Sequence, residues 1–389
     1  MRGRDVIGAF TLFISLILTC CEASRLDQSS AHVDRGVDRG IDQRDRHPDG
    51  QAHWVELGRH LFYERRLSLN EDRSCGICHE QAKGFTDGFV RAVGTTGDLH
   101  PRNTPTLLNV SRRDELGWLN QDTLSLEEQV LIPLLGDMPI EMGAQTIVSE
   151  RLELINNDST YVSLMSSLRI SQLTLTEISY AIARFEETLV SDQAPYDRYI
   201  SGKNDAITAS ARRGLALFNT SLPCRHCHGG ADFDQPDLVA LSASESDEIH
   251  SESGRSRPRH SWFNTGLYHL DDGRYPDNRE GLYHITGRAE DIGKYRIPTL
   301  RHLGLTAPYY HDGSRATLHD VLKDYNRGGR LTRSGPYMGD GSLHPNKHPL
   351  LSPLDLSDQD LIDLEAFLRS LTDMSIIHVE TWSDPWPRD

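Results

Sequence analysis

Basic residues are in short supply in this chain. Against 57 Asp and Glu stand 41 Lys and Arg, a formal charge of −16 at neutral pH. That balance argues against a nucleic-acid partner and for small-molecule or protein partners. Long apolar stretches are missing too, since 37% hydrophobic and 25% charged residues do not describe a multi-span membrane protein. No stretch alternates like a strand over more than a few residues, so the expected class is mainly α, with few or no strands. Cysteine is scarce, six in 389 residues, although the length allows about two domains with sizeable cores.

Four of those cysteines fall in two copies of one pentad, Cys75-Gly76-Ile77-Cys78-His79 and Cys224-Arg225-His226-Cys227-His228. A Cys-x-x-Cys pair alone fits a redox disulfide or half a zinc site. The histidine that follows at once selects covalent haem attachment. Two thiols at this spacing add to the two vinyl groups on one haem edge, and the next imidazole swings beneath the porphyrin to ligate the iron. Two haem c groups are therefore expected, attached at Cys75, Cys78, Cys224 and Cys227, with His79 and His228 as axial ligands.

Residues 1–23 read as an export signal: Arg2 and Arg4 precede a short apolar run from Val6 to Leu18. The run is too short to span a bilayer comfortably, so cleavage is expected. Cys20 and Cys21 loosely match a lipoprotein cleavage box, with ordinary cleavage around Ala23-Ser24 as the alternative. The expected location is the bacterial periplasm, where c-type haem is attached, with membrane attachment only through an N-terminal lipid. Residues 24–51 are polar, carry the approximate repeat Val33-Asp34-Arg35-Gly36 and Val37-Asp38-Arg39-Gly40, and read as a flexible linker.

From Trp54 the pattern turns helical, with Val55, Leu57, Leu61 and Phe62 on one side before the first pentad. Leu124 to Leu135 reads as a helix ending near Gly136, and Thr174-Leu175-Thr176-Glu177 as a capping box opening a stronger one. Ser201 to Asp205 is the expected domain boundary. A second helix, Ala209 to Phe218, then leads into the second pentad. Gly58 with Leu61-Phe62 precedes one pentad as Gly214 with Leu217-Phe218 precedes the other, which points to a duplicated haem domain. Ser242 to Arg259 reads as an exposed insertion whose Arg255, Arg257 and Arg259 are solvated. Thr317 caps a helix with Leu318, Val321, Leu322 and Tyr325 on one face, and Ser357 to Asp360 opens the last helix.

Leu57-Gly58, Leu61-Phe62, Arg66-Leu67-Ser68, Arg102-Asn103-Thr104-Pro105-Thr106, Thr306-Ala307-Pro308-Tyr309 and His311-Asp312-Gly313 resemble the bacterial di-haem cytochrome c peroxidase and MauG family from Trp54 to Thr372. Asn264-Thr265-Gly266-Leu267-Tyr268, Thr286-Gly287-Arg288 and Arg296 to Leu300 are most similar to its MbnH-like branch, which is associated with oxidising a tryptophan of a partner protein. The resemblance implies two cytochrome c-like domains packed around an inter-haem interface. Residues 52–203 would hold the peroxide-binding haem and 204–376 the Tyr-ligated haem, with 377–389 as a C-terminal tail.

The resemblance also implies roles for single residues. The family's inter-haem tryptophan lies 39 residues past the first haem histidine, and that position is Trp118, within Gly117-Trp118-Leu119-Asn120. A distal histidine sits 16 residues past it in many relatives; here the position is Thr95, no iron ligand, with His100 the nearest imidazole. Gln129, Pro133 and Glu141 match the open side of that haem, although Glu141 lies two positions later than usual, after an insertion within Leu134 to Ile140. A buried carboxyl there would move a proton between the peroxide oxygens. The second haem's sixth ligand falls at Tyr325, with Met338 as the competitor; a phenolate oxygen favours higher iron oxidation states than a thioether. Asn103, Thr306 and Pro308 match the family's calcium ligands, an oxygen-only set that suits Ca²⁺.

The function implied is hydrogen-peroxide-dependent oxidation of an aromatic residue, a tryptophan, on a periplasmic MbnP-like protein. It would proceed through a high-valent di-iron state and long-range electron transfer. One alternative is a di-haem cytochrome c peroxidase fed by a small cytochrome, and a second is a non-enzymatic di-haem electron-transfer protein.

Overall fold

A computed structural model describes residues 48–113, 115–119, 125–236, 248–250, 256–258, 262–276 and 280–386. The export signal, Cys20, Cys21, the linker as far as 47 and Asn120 lie outside the described residues. So does most of 242–259. Residues 45–389 form one compact unit.

The described helices are α1 (Pro48–Phe62), α2 (Cys75–Cys78), α3 (Leu126–Leu135), α4 (Val148–Asn156), α5 (Ser159–Leu168), α6 (Leu175–Glu186), α7 (Pro195–Ile200), α8 (Ala209–Ala216), α9 (Cys224–Cys227), α10 (Tyr283–Thr286), α11 (Leu318–Arg327) and α12 (Asp358–Ser370). The strands β1 (Glu248–His250) and β2 (Ser256–Pro258), β3 (Trp262–Asn264) and β4 (Lys294–Arg296), and β5 (Leu331–Thr332) and β6 (Gly339–Asp340) pair as three antiparallel two-stranded sheets. Strands of two or three residues are too short to show alternation, which is why the pattern revealed none. The chain is mainly helical, as expected. Among the described residues no helix is long and apolar enough to cross a membrane.

Local signals place the helices well. Thr174 and Glu177 form the reciprocal capping box that opens α6, and Ser357 with Asp360 does the same for α12. Helix α1 starts at Pro48, upstream of the apolar pattern, because proline suits a first turn whose amides have no partner. Helix α8 stops at Ala216, short of the expected Phe218, and the chain continues as one wider turn over Leu217–Ser221 before the second pentad.

Two hydrophobic clusters carry the packing. One gathers Trp54, Leu57, Phe62, Tyr161, Ile178 and Phe185, and the other Phe218, Phe233, Leu318, Leu364, Phe367 and Leu371. Each fully buried large side chain contributes roughly 1.5–3 kcal/mol. Corresponding helix crossings organise them. A Cβ on Gly58 of α1 would lie 1.8 Å from the Ala181 carbonyl oxygen of α6, and one on Gly214 of α8 would lie 1.9 Å from the Asp363 oxygen of α12. Only hydrogen fits at either crossing, so each helix that leads into a pentad touches its partner backbone to backbone. The C-terminal segment returns to the first cluster. There Trp382 is buried and its carbonyl accepts the Tyr63 hydroxyl at 2.7 Å, while Gln81 Nε2 donates to the carbonyls of Ile376 and Val379 at 2.7 and 2.9 Å.

Candidate active site

Each pentad is a single helical turn followed by its histidine. Positions i and i+3 share a face, so α2 presents Cys75 and Cys78 together and α9 presents Cys224 and Cys227. The His79 amide caps Cys75 at 2.8 Å and its Nδ1–H donates to the Phe85 carbonyl at 2.9 Å. His228 repeats this with Cys224 at 2.8 Å and Phe233 at 3.1 Å. Both phenylalanines sit at left-handed φ, 58° and 56°, which turns their carbonyls toward the rings. Nδ1 being committed, Nε2 is the nitrogen left to ligate.

Burial lowers the pKa of both imidazoles, that of His228 to about 4, so each is neutral, the form that binds a metal. Burial raises the thiols of Cys75, Cys78 and Cys224, Cys78 to about 12 and Cys224 to about 11. No disulfide links them. A reactive redox pair needs depressed thiols, the opposite of what is found. Among the described residues no three His, Cys, Asp or Glu converge as a zinc site requires. The donor sets fit haem c: two thiols on one face and a neutral imidazole beside them, each set lining a cavity.

The first cavity, about 200 Å³, is lined by Cys75, Cys78, His79, Gln129, Pro133, Glu141 and Trp118 among others. Gln129 and Pro133 stand one turn apart on α3, so both face it. A Ser125–Glu128 capping box opens that helix, and a 2.7 Å Arg184–Glu127 ion pair ties it to α6. The loop after α3 carries Glu141. The Met142 amide donates to Pro133 O at 3.0 Å, the Thr95 amide to Glu141 O at 2.8 Å, and a Cβ on Gly94 would meet Ile140 O at 1.9 Å. Thr95 thus anchors the Glu141 backbone, while its hydroxyl donates to Asp72 at 2.6 Å. Burial pushes the Glu141 carboxyl up to about 6, against the lowering pull of Arg102.

Sequence reasoning named His100 only as the nearest imidazole to Thr95, and passed over the other neighbours. His100 Nε2 lies 3.8 Å from Glu141 Oε1, and its Nδ1 accepts the Arg102 amide at 3.1 Å, so the ring stands at the carboxylate. Glu186 also lines this cavity, its carboxyl raised to about 8 by burial and then by Glu127 and Glu187. Burial lowers the pKa of the cavity-lining guanidiniums of Arg102, Arg113 and Arg296, the last to about 10. Buried cations of this kind suit anionic haem propionates. Arg102 and Arg296 stand in the motifs quoted above, but no local signal marked the burial of the three, which depends on distant segments.

The second cavity, about 240 Å³, is lined by Cys224, Cys227, His228 and Tyr325, and by Asn103, Thr306 and Pro308. Leu318, Val321 and Leu322 line it beside Tyr325, so the whole apolar face of α11 is turned toward it. Burial, then the neighbouring thiols of Cys227 and Cys224, raises the Tyr325 phenol above its ordinary value. Met338 is 46% exposed and does not line the cavity. Asn103 donates from Nδ2 to Phe89 O at 2.8 Å, which leaves Oδ1 as the side chain's acceptor.

Trp118 lines both cavities. Its Nε1–H donates to Asn103 O at 2.8 Å, and Arg296 clamps its backbone, Nε to Gly117 O at 2.7 Å and N–H to Trp118 O at 3.3 Å. One indole is therefore shared by the two haem-attachment sites, and a helical chain built this way is a di-haem c-type redox protein.

Comparison with known proteins gives the family. The signature of the di-haem cytochrome c peroxidases matches residues 52–205. Cytochrome-c peroxidase IdrP1 of Denitromonas iodatirespirans is 33% identical over 322 residues, covering 82% of this chain and 81% of the relative. The methylamine utilization protein MauG of Methylorubrum extorquens is 28% identical over 319 residues, covering 82% and 77%. A solved MauG-like protein associated with microbial copper homeostasis superposes with a TM-score of 0.77 at 38% identity, covering 86% of this chain and 93% of that one. The chain belongs to the di-haem cytochrome c peroxidase and MauG family, peroxide-dependent oxidoreductases whose cofactor is haem c.

Proposed function

We propose that this protein is a MauG/MbnH-type oxidase that uses hydrogen peroxide to oxidise a tryptophan of a periplasmic partner protein. The observation that carries the reading is the lining of the second cavity. Tyr325 lines it with His228, and no methionine does so among the described residues. When bound, the two haems supply peroxide reduction and the storage of oxidising equivalents. His79 would hold the first, and His228 with Tyr325 the second, a hard oxygen donor favouring the oxidised metal.

Glu141 takes the proton from one peroxide oxygen and delivers it to the other, a task suited to a carboxyl raised to about 6. His100, 3.8 Å away, relays protons to it. Gln129 orients the oxidant, and Pro133, lacking an amide proton, keeps that wall apolar. Trp118, common to both cavities, passes electrons between them. Asn103 Oδ1 with the carbonyls of Thr306 and Pro308 would hold a calcium ion beside it, in the oxygen-only environment Ca²⁺ prefers.

We assign residues 52–203 and 204–376 to the two haem domains, in keeping with the matched glycine crossings at Gly58 and Gly214. The leader directs the chain to the periplasm, removed either around Ala23-Ser24 or just before Cys20 or Cys21, which would then carry the lipid. The likeness to a protein associated with copper homeostasis favours a partner from the same setting, of MbnP type.

The test incubates the fully oxidised haem-loaded protein with peroxide and candidate partners, then looks for a tryptophan mass change on the partner. A requirement for prior half-reduction, with electrons accepted only from a small cytochrome, would overturn the reading. It would support the second one, a cytochrome c peroxidase, which the name of the 33% identical relative favours.

A further inference from the structure

A line of tyrosines leads from the second cavity to the surface. Tyr275 lines the cavity. Its ring stands edge-on to Tyr268 at a centroid distance of 5.7 Å, and Tyr268 stands edge-on to Tyr337 at 5.7 Å. Tyr275 and Tyr268 are 6% and 2% exposed, whereas Tyr337 is 37% exposed, next to the exposed Met338. A backbone bridge between Leu270 and Gly339 holds the two segments together. Aromatic contacts at such distances are common in cores. What sets this group apart is the chemistry around its middle member. The buried Tyr268 hydroxyl donates to Asp312 Oδ2 at 2.5 Å, and the Arg330 guanidinium lies 5.4 Å from the ring centroid.

We infer that Tyr275, Tyr268 and Tyr337 form a relay carrying electrons from a protein donor at the Tyr337 surface to the second haem-binding cavity. The inference rests on the proposed oxidase function. Electron tunnelling weakens steeply with distance, so oxidisable rings in near contact outcompete one long jump, and phenylalanine cannot take their place. The cation over Tyr268 disfavours a radical cation there, so its proton must leave with the electron. Asp312 accepts that proton across the existing hydrogen bond and returns it when Tyr337 re-reduces Tyr268. Overall, one peroxide takes up two electrons and two protons to give two waters. The donor at the surface loses two electrons, one at a time, and each tyrosine is restored.

Without a donor the oxidation should stop on Tyr337. Two exposed tyrosyl radicals on separate molecules then couple, each having lost one electron and one proton, and one peroxide is consumed per cross-link. The experiment treats the haem-loaded full chain with peroxide alone, runs a denaturing gel for covalent dimers, and locates the cross-link by peptide mass spectrometry. Wild type is expected to dimerise through Tyr337. Tyr268→Phe, which keeps the ring, and Tyr337→Phe, at an exposed site that does not challenge folding, are each expected to cut dimer yield by about tenfold while keeping the wild-type haem spectrum. Peroxide consumption with Tyr337 cross-linking undiminished in Tyr268→Phe overturns the relay and leaves the oxidase reading standing. Failure of the oxidised wild type to consume peroxide overturns both.

Discussion

Replacing Glu141 by glutamine should make the protein more stable and less active at the same time. Burial holds this carboxyl at about 6, against its ordinary 4.5, so the folded chain binds the proton more tightly than the unfolded chain does. The sign follows: below about pH 4.5 the group costs nothing, and as pH rises through 6 the full penalty of ionising a buried acid appears. The shift corresponds to about 2 kcal/mol at neutral pH, an order-of-magnitude figure for a side chain still 29% exposed. Glutamine avoids it, so the variant should unfold at a higher temperature at pH 7, with the gain vanishing toward pH 4. The same change removes the proton carrier, and the rate of peroxide consumption should fall by roughly 10²–10⁴. In wild type that rate should drop about tenfold per pH unit below 6, where the carboxylate is titrated away, and level off above it. Stopped-flow peroxide kinetics and thermal unfolding across pH 4–8 measure both effects. A variant with wild-type peroxide kinetics, or a stability gain that does not depend on pH, refutes the reasoning.

Gly58→Ala and Gly214→Ala each force a Cβ onto a backbone carbonyl, at 1.8 and 1.9 Å, and should cost at least about 1–3 kcal/mol in thermal unfolding. Trp118→Phe removes the 2.8 Å bond to Asn103 O, worth about 1 kcal/mol, and should slow partner oxidation while haem content stays at two per chain. Unchanged turnover would remove its bridging role. The proposed calcium ion is tested by chelation, which should loosen residues 103–113, detected as faster amide exchange there and reversed by adding the ion back.

Much of this protein is written in short stretches of chain. A capping box such as Thr174 to Glu177 needs four residues, and the apolar face of α11 needs one helical period. These were legible because the forces that act on them are local. The contacts that build the first cavity are not. Arg296 reaches Gly117 across 179 positions, and His100 comes to the Glu141 carboxylate from a separate loop about forty residues earlier in the chain. Even Thr95, readable as a residue that cannot ligate iron, gave no sign that its amide would hold Glu141 in place.

Haem attachment was decided by five residues read in order, twice, because thioether formation and axial ligation depend on the spacing of two thiols and one imidazole along a single helical turn. Which cavity holds a raised carboxyl and which a phenol, and that one indole lines both, was decided by tertiary structure alone. Burial and proximity set those properties, and both arise only when segments far apart in sequence pack together.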